Sequence, residues 1–466
     1  MSQAIDTIHA LVKALEAGGY DAAPSKLVQG AALMTENLSK VLEVVTFDDS
    51  HIKLQKSLKS ESCKSTLAQF DRQLSYGIFG GSAQLEGHIG QEETSDFVRI
   101  TVPMCFYSHT RRVTLPSMLV ETVDGKKSDE RAAADAAKKL AADIEFDLFR
   151  GKADFSNGGV FDGNMLAMAT LPNILGVDAQ IRQSDLMRNA QDLMFNEYGS
   201  DESVVISGGA TLSQDNVEDS WVRSQMNMGM ASRLIVDPKV LSNYNKIAFA
   251  KERIVLAGSP QDATGGDLSR QWVSGGTVKI EASRFLSGKT GPAPARSVGP
   301  ANPAGLAAAT VAVSGVTTGF LSGQVYSYFA TTGNEVGESP KSVSAAVTID
   351  VSGKAVDVTI THPGSGVARF FNVYRTVANG AVAKYIGRVL VAAGAGSTVF
   401  RDLGNKQPGF VTGYLLEDDT MEIQELAPYS RLKLAVTELS QPEAFFRFLT
   451  LCVKQPRKNV LLDNLR

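Results

Sequence analysis

The sequence predicts an α+β chain interrupted by an all-β sandwich. Three observations carry that expectation. Residues 128–150, SDERAAADAAKKLAADIEFDLFR, hold an unbroken helical pattern. Residues 311–403 are poor in charge and rich in Val, Ala, Gly, Ser and Thr, the composition of short strands joined by turns. Pro/Gly/Ala-rich stretches flank that run, GPAPARSVGPANPAGLAAAT at 291–310 and GNKQPG at 404–409, as linkers do.

The chain has 466 residues, which allows two to four domains. Hydrophobic content is 43% and charged content 21%, so a sizeable core can form. The net charge of −4, without any run of like charge, argues against a protein that binds nucleic acid mainly through electrostatics. Three distant cysteines, Cys63, Cys105 and Cys452, form no CxxC and suggest neither a disulfide framework nor a zinc site. A reducing compartment is expected. The segment MSQAIDTIHALVKALEAGG lacks the basic and apolar regions of a secretory signal. No stretch approaches the ~20 apolar residues of a membrane helix.

Along the chain, Ile5, Ile8, Leu11, Val12 and Leu15 recur at helical spacing until Gly18-Gly19. LMTENLSKVLEVV repeats the pattern, so residues 1–45 read as two short helices of an arm. Residues 75–116 are glycine-punctuated and then alternating, with Val98, Ile100 and Val102 on one strand face. Such a segment is expected to project. The helix at 128–150 starts with Ser128 as its cap and Asp129 and Glu130 in its first turn. Its stripe is Ala133, Ala137, Leu140, Ile144 and Leu148, and Gly151 ends it. About 22 residues make a rod of roughly 33 Å. SDLMRNAQDLMFNEYG reads as helix, SVVISG and RLIVDP as strands, and DPKVLSNYNKI as a turn into helix. Between 311 and 403 the strands are VYSYFAT, SVSAAVTI, AVDVTITH, FFNVYRT and KYIGRVLV. After 410, α+β character returns with MEIQELA, RLKLAVTEL and AFFRFLTLCVKQP.

Candidate chemistry is sparse. Gly288-Lys289-Thr290 resembles the tail of a phosphate loop, but Ser283 stands where its first glycine belongs and Gly291-Pro292 replaces the following helix. The five histidines, His9, His51, His88, His109 and His362, show no ligand spacing. No GxSxG occurs. Asp154, Asn157, Asp162 and Asn164 lack the spacing and closing glutamate of a calcium loop and read as turn residues. Glu417, Asp418, Asp419, Glu422 and Glu425 read as a solvated or inter-subunit acidic face. Met226, Met228 and Met230 read as core or interface filling. No catalytic, cofactor-binding or metal-binding residue is assigned, and a non-enzymatic role is expected. An arm and a projecting loop leave apolar groups for a partner to cover, which points to a subunit of an assembly.

The order of these parts resembles the major capsid protein of tailed double-stranded DNA phages, the Hong Kong 97-type fold. IEFDLFRGKADF resembles the close of that family's long helix. APYSRLKLAVTELSQPEAFFRFLTLCVKQPRKNVLLDNLR resembles its C-terminal run. The resemblance implies an N-terminal arm at 1–70, an E-loop region at 71–115, and the first part of the peripheral and axial domains at 116–292. It implies an inserted domain at 293–410 and a return to the capsid core at 411–466. The insert resembles an immunoglobulin-like or fibronectin type III sandwich through GQVYSYFATTGNEVGESPKSV, FFNVYRT and FRDLG. It lacks the early core tryptophan, since Trp221 and Trp272 lie outside it, and Phe320, Tyr326 and Tyr328 are expected to fill that volume.

What the resemblance implies is self-assembly into hexamers and pentamers of an icosahedral shell around the genome. A separate scaffolding protein, a portal and a decoration protein are the implied partners. Packaged DNA is contacted weakly and no membrane is involved. The sandwich faces outward and contacts glycan or host surface. The implied location is the virion capsid, assembled in the host bacterial cytoplasm. The alternatives are a tail, baseplate or surface adhesin acting through its sandwich, and an enzyme with a carbohydrate-binding accessory module.

Overall fold

The computed structural model describes residues 51–75, 83–90, 92, 94–119, 127–152, 173–182, 203–206, 210–251, 270–287, 300–313, 318–334, 337–364, 368–392, 395–436 and 439–466. The expected helices at 1–45 and 184–199, the turn at 154–164 and Gly288-Lys289-Thr290 lie outside them. The chain divides into a small unit that includes residues 112–134 and 435–442 and a large unit that includes the rest of the described residues.

In chain order, the first described elements are a single helical turn, α1 (Leu54–Ser57), and a short strand, β1 (Lys59–Ser62). Two long strands follow, β2 (Leu67–Ser75) and β3 (Asp96–Pro103). Met104 separates β3 from β4 (Cys105–Thr114), where one strand as far as Pro116 is the sequence expectation. Leu115–Leu119 is instead a short helix, α2. The long helix is α3 (Ser128–Phe149). Its first backbone bond runs from Arg131 N–H to Lys127 O, so Lys127 takes the capping place expected of Ser128, whose hydroxyl donates to Ser117 O. Leu140, Ile144 and Leu148 are buried as the stripe predicts, and Ala136 is buried in place of Ala133 and Ala137. Gly151 ends the helix at φ +23°, where an added Cβ would lie 2.1 Å from Ile174 O.

Next come β5 (Val204–Ile206), α4 (Gln214–Met226), β6 (Arg233–Val236), α5 (Pro238–Lys251), β7 (Arg270–Val273) and β8 (Gly276–Ala282). Seven strands follow: β9 (Gly305–Ala312), β10 (Val325–Gly333), β11 (Ala345–Thr348), β12 (Lys354–Thr361), β13 (Phe370–Thr376), β14 (Ala383–Leu390) and β15 (Ser397–Asp402). The chain closes with β16 (Val411–Leu416), β17 (Met421–Lys433), β18 (Ser440–Val453) and β19 (Val460–Leu465).

One sheet has the order β1-β17-β18-β4 and another β5-β19-β16-β6-β8-β7. They share a core in which Ile144, Leu148 and Phe149 of α3 meet Tyr414, Ile423, Leu449 and Leu451. On the other side of the six-stranded sheet, Val217 of α4 and Val240 and Tyr244 of α5 pack on Leu234, Val278 and Leu462. The chain leaves the six-stranded sheet after β8 and returns to it on β16.

Between those strands lie an antiparallel sheet β11-β10-β13-β14 and a second, β15-β12-β9. Their facing side chains share one apolar cluster that includes Tyr328, Ile360, Phe371, Val373 and Phe400. Phe320, Tyr326 and Tyr328 are buried in it, filling the volume as expected. Two of the seven strands escape the strand pattern. GLAAATVA reads as linker because alanine is a weak strand former, yet it pairs with β12 along its whole length as an edge. STVFRD is its counterpart on the other side of β12.

Arg375 of β13 and Asp402 of β15 form a buried pair at 2.5 Å. Tyr328 Oη donates to the same carboxylate at 3.0 Å, and Gly404 N–H donates to its other oxygen at 2.8 Å. Arg375 also donates to Lys406 O at 2.6 Å. Asn464, held at φ +60°, accepts from Gln407 N–H and donates to Asn405 O. Residues 404–409, expected as a loose linker, are therefore gripped from both sides. Removing one partner of such a pair strands a buried charge at a cost of about 3–5 kcal/mol. Asp402→Ala is expected to lower stability by that order, read by urea unfolding.

Asp463 of β19 accepts from Arg182 at 2.7 Å and from Thr412 at 2.8 Å. Burial pushes its carboxyl up, but Arg182 and Thr412 outweigh burial and hold it below the ordinary 3.8. Its stabilising contribution is present above the ordinary value and lost as pH falls through the lowered one. Asp463→Asn should flatten the fall of the thermal midpoint as the pH drops below about 4. A midpoint that falls as steeply as the wild type's would count against this role.

Candidate interaction surfaces

The β2–β3 ribbon is antiparallel, with Leu67 opposite Pro103 and Ser75 opposite Asp96. Its base is anchored. Arg72 donates to Lys454 O at 2.8 Å and Val453 O at 3.2 Å. Ala68, Val102 and Met104 pack with Cys452. Val98, Ile100 and Val102 share the better-covered face, as alternation predicts. Arg99 and Asp71 pair across the strands at 2.8 Å, and the hydrogen bond from Arg99 holds the Asp71 carboxyl below its ordinary value.

Beyond the ribbon, residues 83–90 are all exposed. They turn through Gly87 at φ +87°, with His88 N–H donating to Leu85 O at 3.0 Å. Leu85 is 78% exposed and Ile89 96%. Covering one such side chain is worth about 1.5–3 kcal/mol. A second apolar feature lies across β4 and β18. Phe106 meets Phe448 edge-on at 5.0 Å, and Phe448 stacks on Phe446 at 5.0 Å. Phe106 is exposed on this face. In the small unit, Leu115 N–H donates to Leu439 O at 2.9 Å, and Leu119 and Leu439 are exposed.

The sequence-derived candidates do not converge. His88 is on the exposed loop, and burial lowers the His109 imidazole, helped by Lys139 and Arg111. His362 Nε2 lies 2.7 Å from Thr398 Oγ1 and its ring packs on Phe371. The His51 carbonyl accepts from Ser283 Oγ, and His9 is outside the described residues. Among the described residues no three His, Cys, Asp or Glu side chains group as a metal site requires. Cys105 and Cys452 are buried thiols that burial pushes up, to about 11 and about 12. Met226, Met228 and Met230 are exposed rather than in the core. The acidic run is spent within the chain. Asp418 pairs with Arg233, Glu422 with Lys454, Glu425 with Arg447 and Asp419 with Lys59. Glu417 accepts from Met230 N–H. On β17, Glu422 and Glu425 are drawn to Lys454 and Arg447, whereas Asp419, ahead of that strand, keeps an 87% exposed side chain.

Several working side chains were not singled out by sequence. Glu145 of α3 is fully buried, and its carboxylate accepts the backbone N–H groups of Lys53, Leu54 and Gln55 at 2.7–2.9 Å. Asp147, also buried, accepts from Tyr107 Oη at 2.7 Å and from Asn173. Glu338 gathers Thr331, Asn372 and Tyr374 on one carboxylate oxygen. The signal available for Glu145 is an acid adjoining the buried stripe of a helix that is otherwise alanine and leucine.

The chain is similar to a phage protein along nearly all of its length. No family model matches it. It is 22% identical over 465 residues to the "Putative major capsid protein" of Enterococcus phage phiEF24C, covering 96% of this chain and 93% of the relative. Two similar solved structures are "Capsid of native GTA particle computed with C5 symmetry" and "Cyanophage A-1(L) capsid asymmetric unit". The first is 11% identical with a TM-score of 0.48, covering 95% of this chain and 99% of that one. The second is 10% identical with a TM-score of 0.48, covering 93% and 98%.

Proposed function

We propose that this chain is a non-enzymatic structural tile, the major capsid protein of a tailed bacteriophage, with a Hong Kong 97-type fold. Many copies would assemble as hexamers and pentamers into the shell around a double-stranded DNA genome. The observation that carries the reading is the exposed loop at the end of the anchored ribbon. Leu85 and Ile89 stand in water on a strand pair whose base is fixed, and a repeated neighbour is the economical cover for them. The name of the phiEF24C relative, matched over 96% of the chain, supports the same reading.

In this reading β2, β3 and the loop between them form the E-loop, α3 the spine of the peripheral domain, and the six-stranded sheet with α4 and α5 the axial domain. The seven strands between β8 and β16 are an inserted immunoglobulin-like or fibronectin type III sandwich, leaving the axial domain and facing outward. Its two sheets and shared core support that assignment. Scaffold, portal and decoration proteins are the expected partners, with assembly in the host cytoplasm and residence in the virion.

Electron microscopy of the purified chain should show rings, tubes or shells. A stable monomer or trimer that binds glycans would overturn the reading and favour an adhesin. Leu85→Asp with Ile89→Asp is expected to leave the unfolding free energy within about 0.5 kcal/mol of wild type, as exposed substitutions do, and to abolish shells in the micrographs. Replacing residues 296–408 by a short glycine-serine bridge should leave shells intact, since among the described residues those strands pair only among themselves.

A further inference from the structure

Among the described residues, the seven-stranded segment has four sheet edges, β11 and β14 in one sheet and β15 and β9 in the other. An edge strand leaves a row of backbone N–H and C=O groups open. Proteins guard such rows by keeping the strand short, placing charge on it or breaking it with a bulge. Three of the four edges follow that rule. β11 has four residues, AAVT. β14 carries Lys384 and Arg388, and its register with β13 shifts at Val373/Tyr374. β15 carries Arg401. β9 has none of these guards. GLAAATVA runs for eight residues without a charge or a proline. It pairs with β12 from Gly305 opposite Thr361 to Ala312 opposite Lys354 without a register shift.

The surroundings of β9 say what could pair with it. Leu306 and Ala308 pack against the shared apolar cluster, while Ala307 and Ala309 are exposed. The nearest charges stand one strand in, with Asp357 opposite Ala309 and Lys354 opposite Ala312. Both already have partners, Arg401 for Asp357 and Asp350 for Lys354. A charged strand laid on this edge would find no counter-ion, so the edge fits an uncharged strand with small side chains. Among the described residues, β9 is itself the strand of more than four residues that is uncharged and has an open edge. Self-pairing also has a workable register. Directly opposed side chains share a face of the sheet, so a two-fold antiparallel pair sets each residue against one of the same parity. The middle of the strand is Ala308-Ala309. Centring the axis there puts Ala309 opposite its own copy or opposite Ala307, and only small uncharged side chains meet.

We propose that the open edge of β9 pairs antiparallel with β9 of a second copy of this chain. Two three-stranded sheets, β15-β12-β9 and its copy, then join into one continuous sheet across the two-fold axis. The contact is made by main-chain hydrogen bonds, as in strand addition to an open edge. It goes beyond the capsid reading and does not rest on it.

Cysteine cross-linking of the purified full chain tests the pairing. Ala307→Cys, Ala309→Cys and an equal mixture of the two are treated with diamide, which takes up two electrons and two protons as two thiols become a disulfide. Opposed residues of antiparallel strands lie about 4.5–5.5 Å apart at Cα, within the span of a disulfide. One of the three samples should pass largely into dimer on a non-reducing gel, with peptide masses placing the link between two copies of β9. Val382→Cys, at a site 68% exposed, should give only a trace. The unfolding midpoint of each reduced variant should match wild type. Absence of dimer in all three samples overturns the pairing. Equal dimer from Val382→Cys also overturns it, as does a link from the new thiol to native Cys63. Shells without the link sink the pairing and leave the capsid reading standing, whereas linked dimers from a chain that forms no shell do the reverse.

Discussion

Much of the large unit depends on the carboxylate of Glu145. It is removed from water on the inner side of α3, and three successive backbone N–H groups of residues 53–55 point at it. Burial pushes its carboxyl up, and those three donors and the nearby Arg233 act against burial. The capture fixes where the chain enters the sheet. From Ser57 it runs into β1, parallel to β17 with Lys59 opposite Glu422, and then into the ribbon. The same contact places Lys53 so that its carbonyl accepts from Arg233. One buried acid thus links the long helix, the base of the projecting loop and β6 of the six-stranded sheet. A buried charge rarely adds net stability over apolar packing. Its value here is register, because an apolar residue at 145 would leave the three donors without acceptors.

The seven-stranded segment repeats the tactic with different residues. Its interior is apolar, yet the end nearest the return to β16 is closed by Arg375, Asp402 and Tyr328. The Arg375 guanidinium also lies over the rings of Phe320 and Tyr326, at 5.0 and 5.4 Å from their centroids. The aromatic volume that a tryptophan would fill is thus shared by three smaller rings and a cation. Asn379 at φ +55° plays a matching local part in the β13–β14 turn. Its N–H donates to Val325 O and its side chain accepts from Val325 N–H, tying the turn to β10.

Legibility in the sequence followed the kind of force at work. Periodic burial was readable, so α3, β6, α5 and the strands from Val325 to Leu390 fall where the pattern puts them. The exposed, glycine-punctuated segment before β3 was readable as a projection for the same reason. Pairing partners were not. Gly305–Ala312 has too little strand propensity to stand out, and only β12 makes it a strand. The acidic run from Glu417 looked like a solvated face because its cations, Lys59, Arg233, Arg447 and Lys454, are scattered over nearly 400 residues of sequence. Glu145 and Asp402 could not be distinguished from surface acids without knowing which backbone groups would face them. The outward aim of Trp272 follows from the alternation Arg270, Trp272 against Gln271, Val273 once the strand is known.

The grip on residues 404–407 has a consequence for how the seven-stranded segment would act in an array. A module on a slack tether samples many orientations, and binding by several modules at once must first order each tether. Here the exit is held by Arg375 on one side and by Asn464 on the other, so that freedom is already gone. If copies tile a surface, spacing and tilt of the modules are inherited from the lattice beneath. Weak contact per module then suffices, because the lattice supplies the effective concentration for the next one. Such an array would distinguish targets by the spacing of their sites.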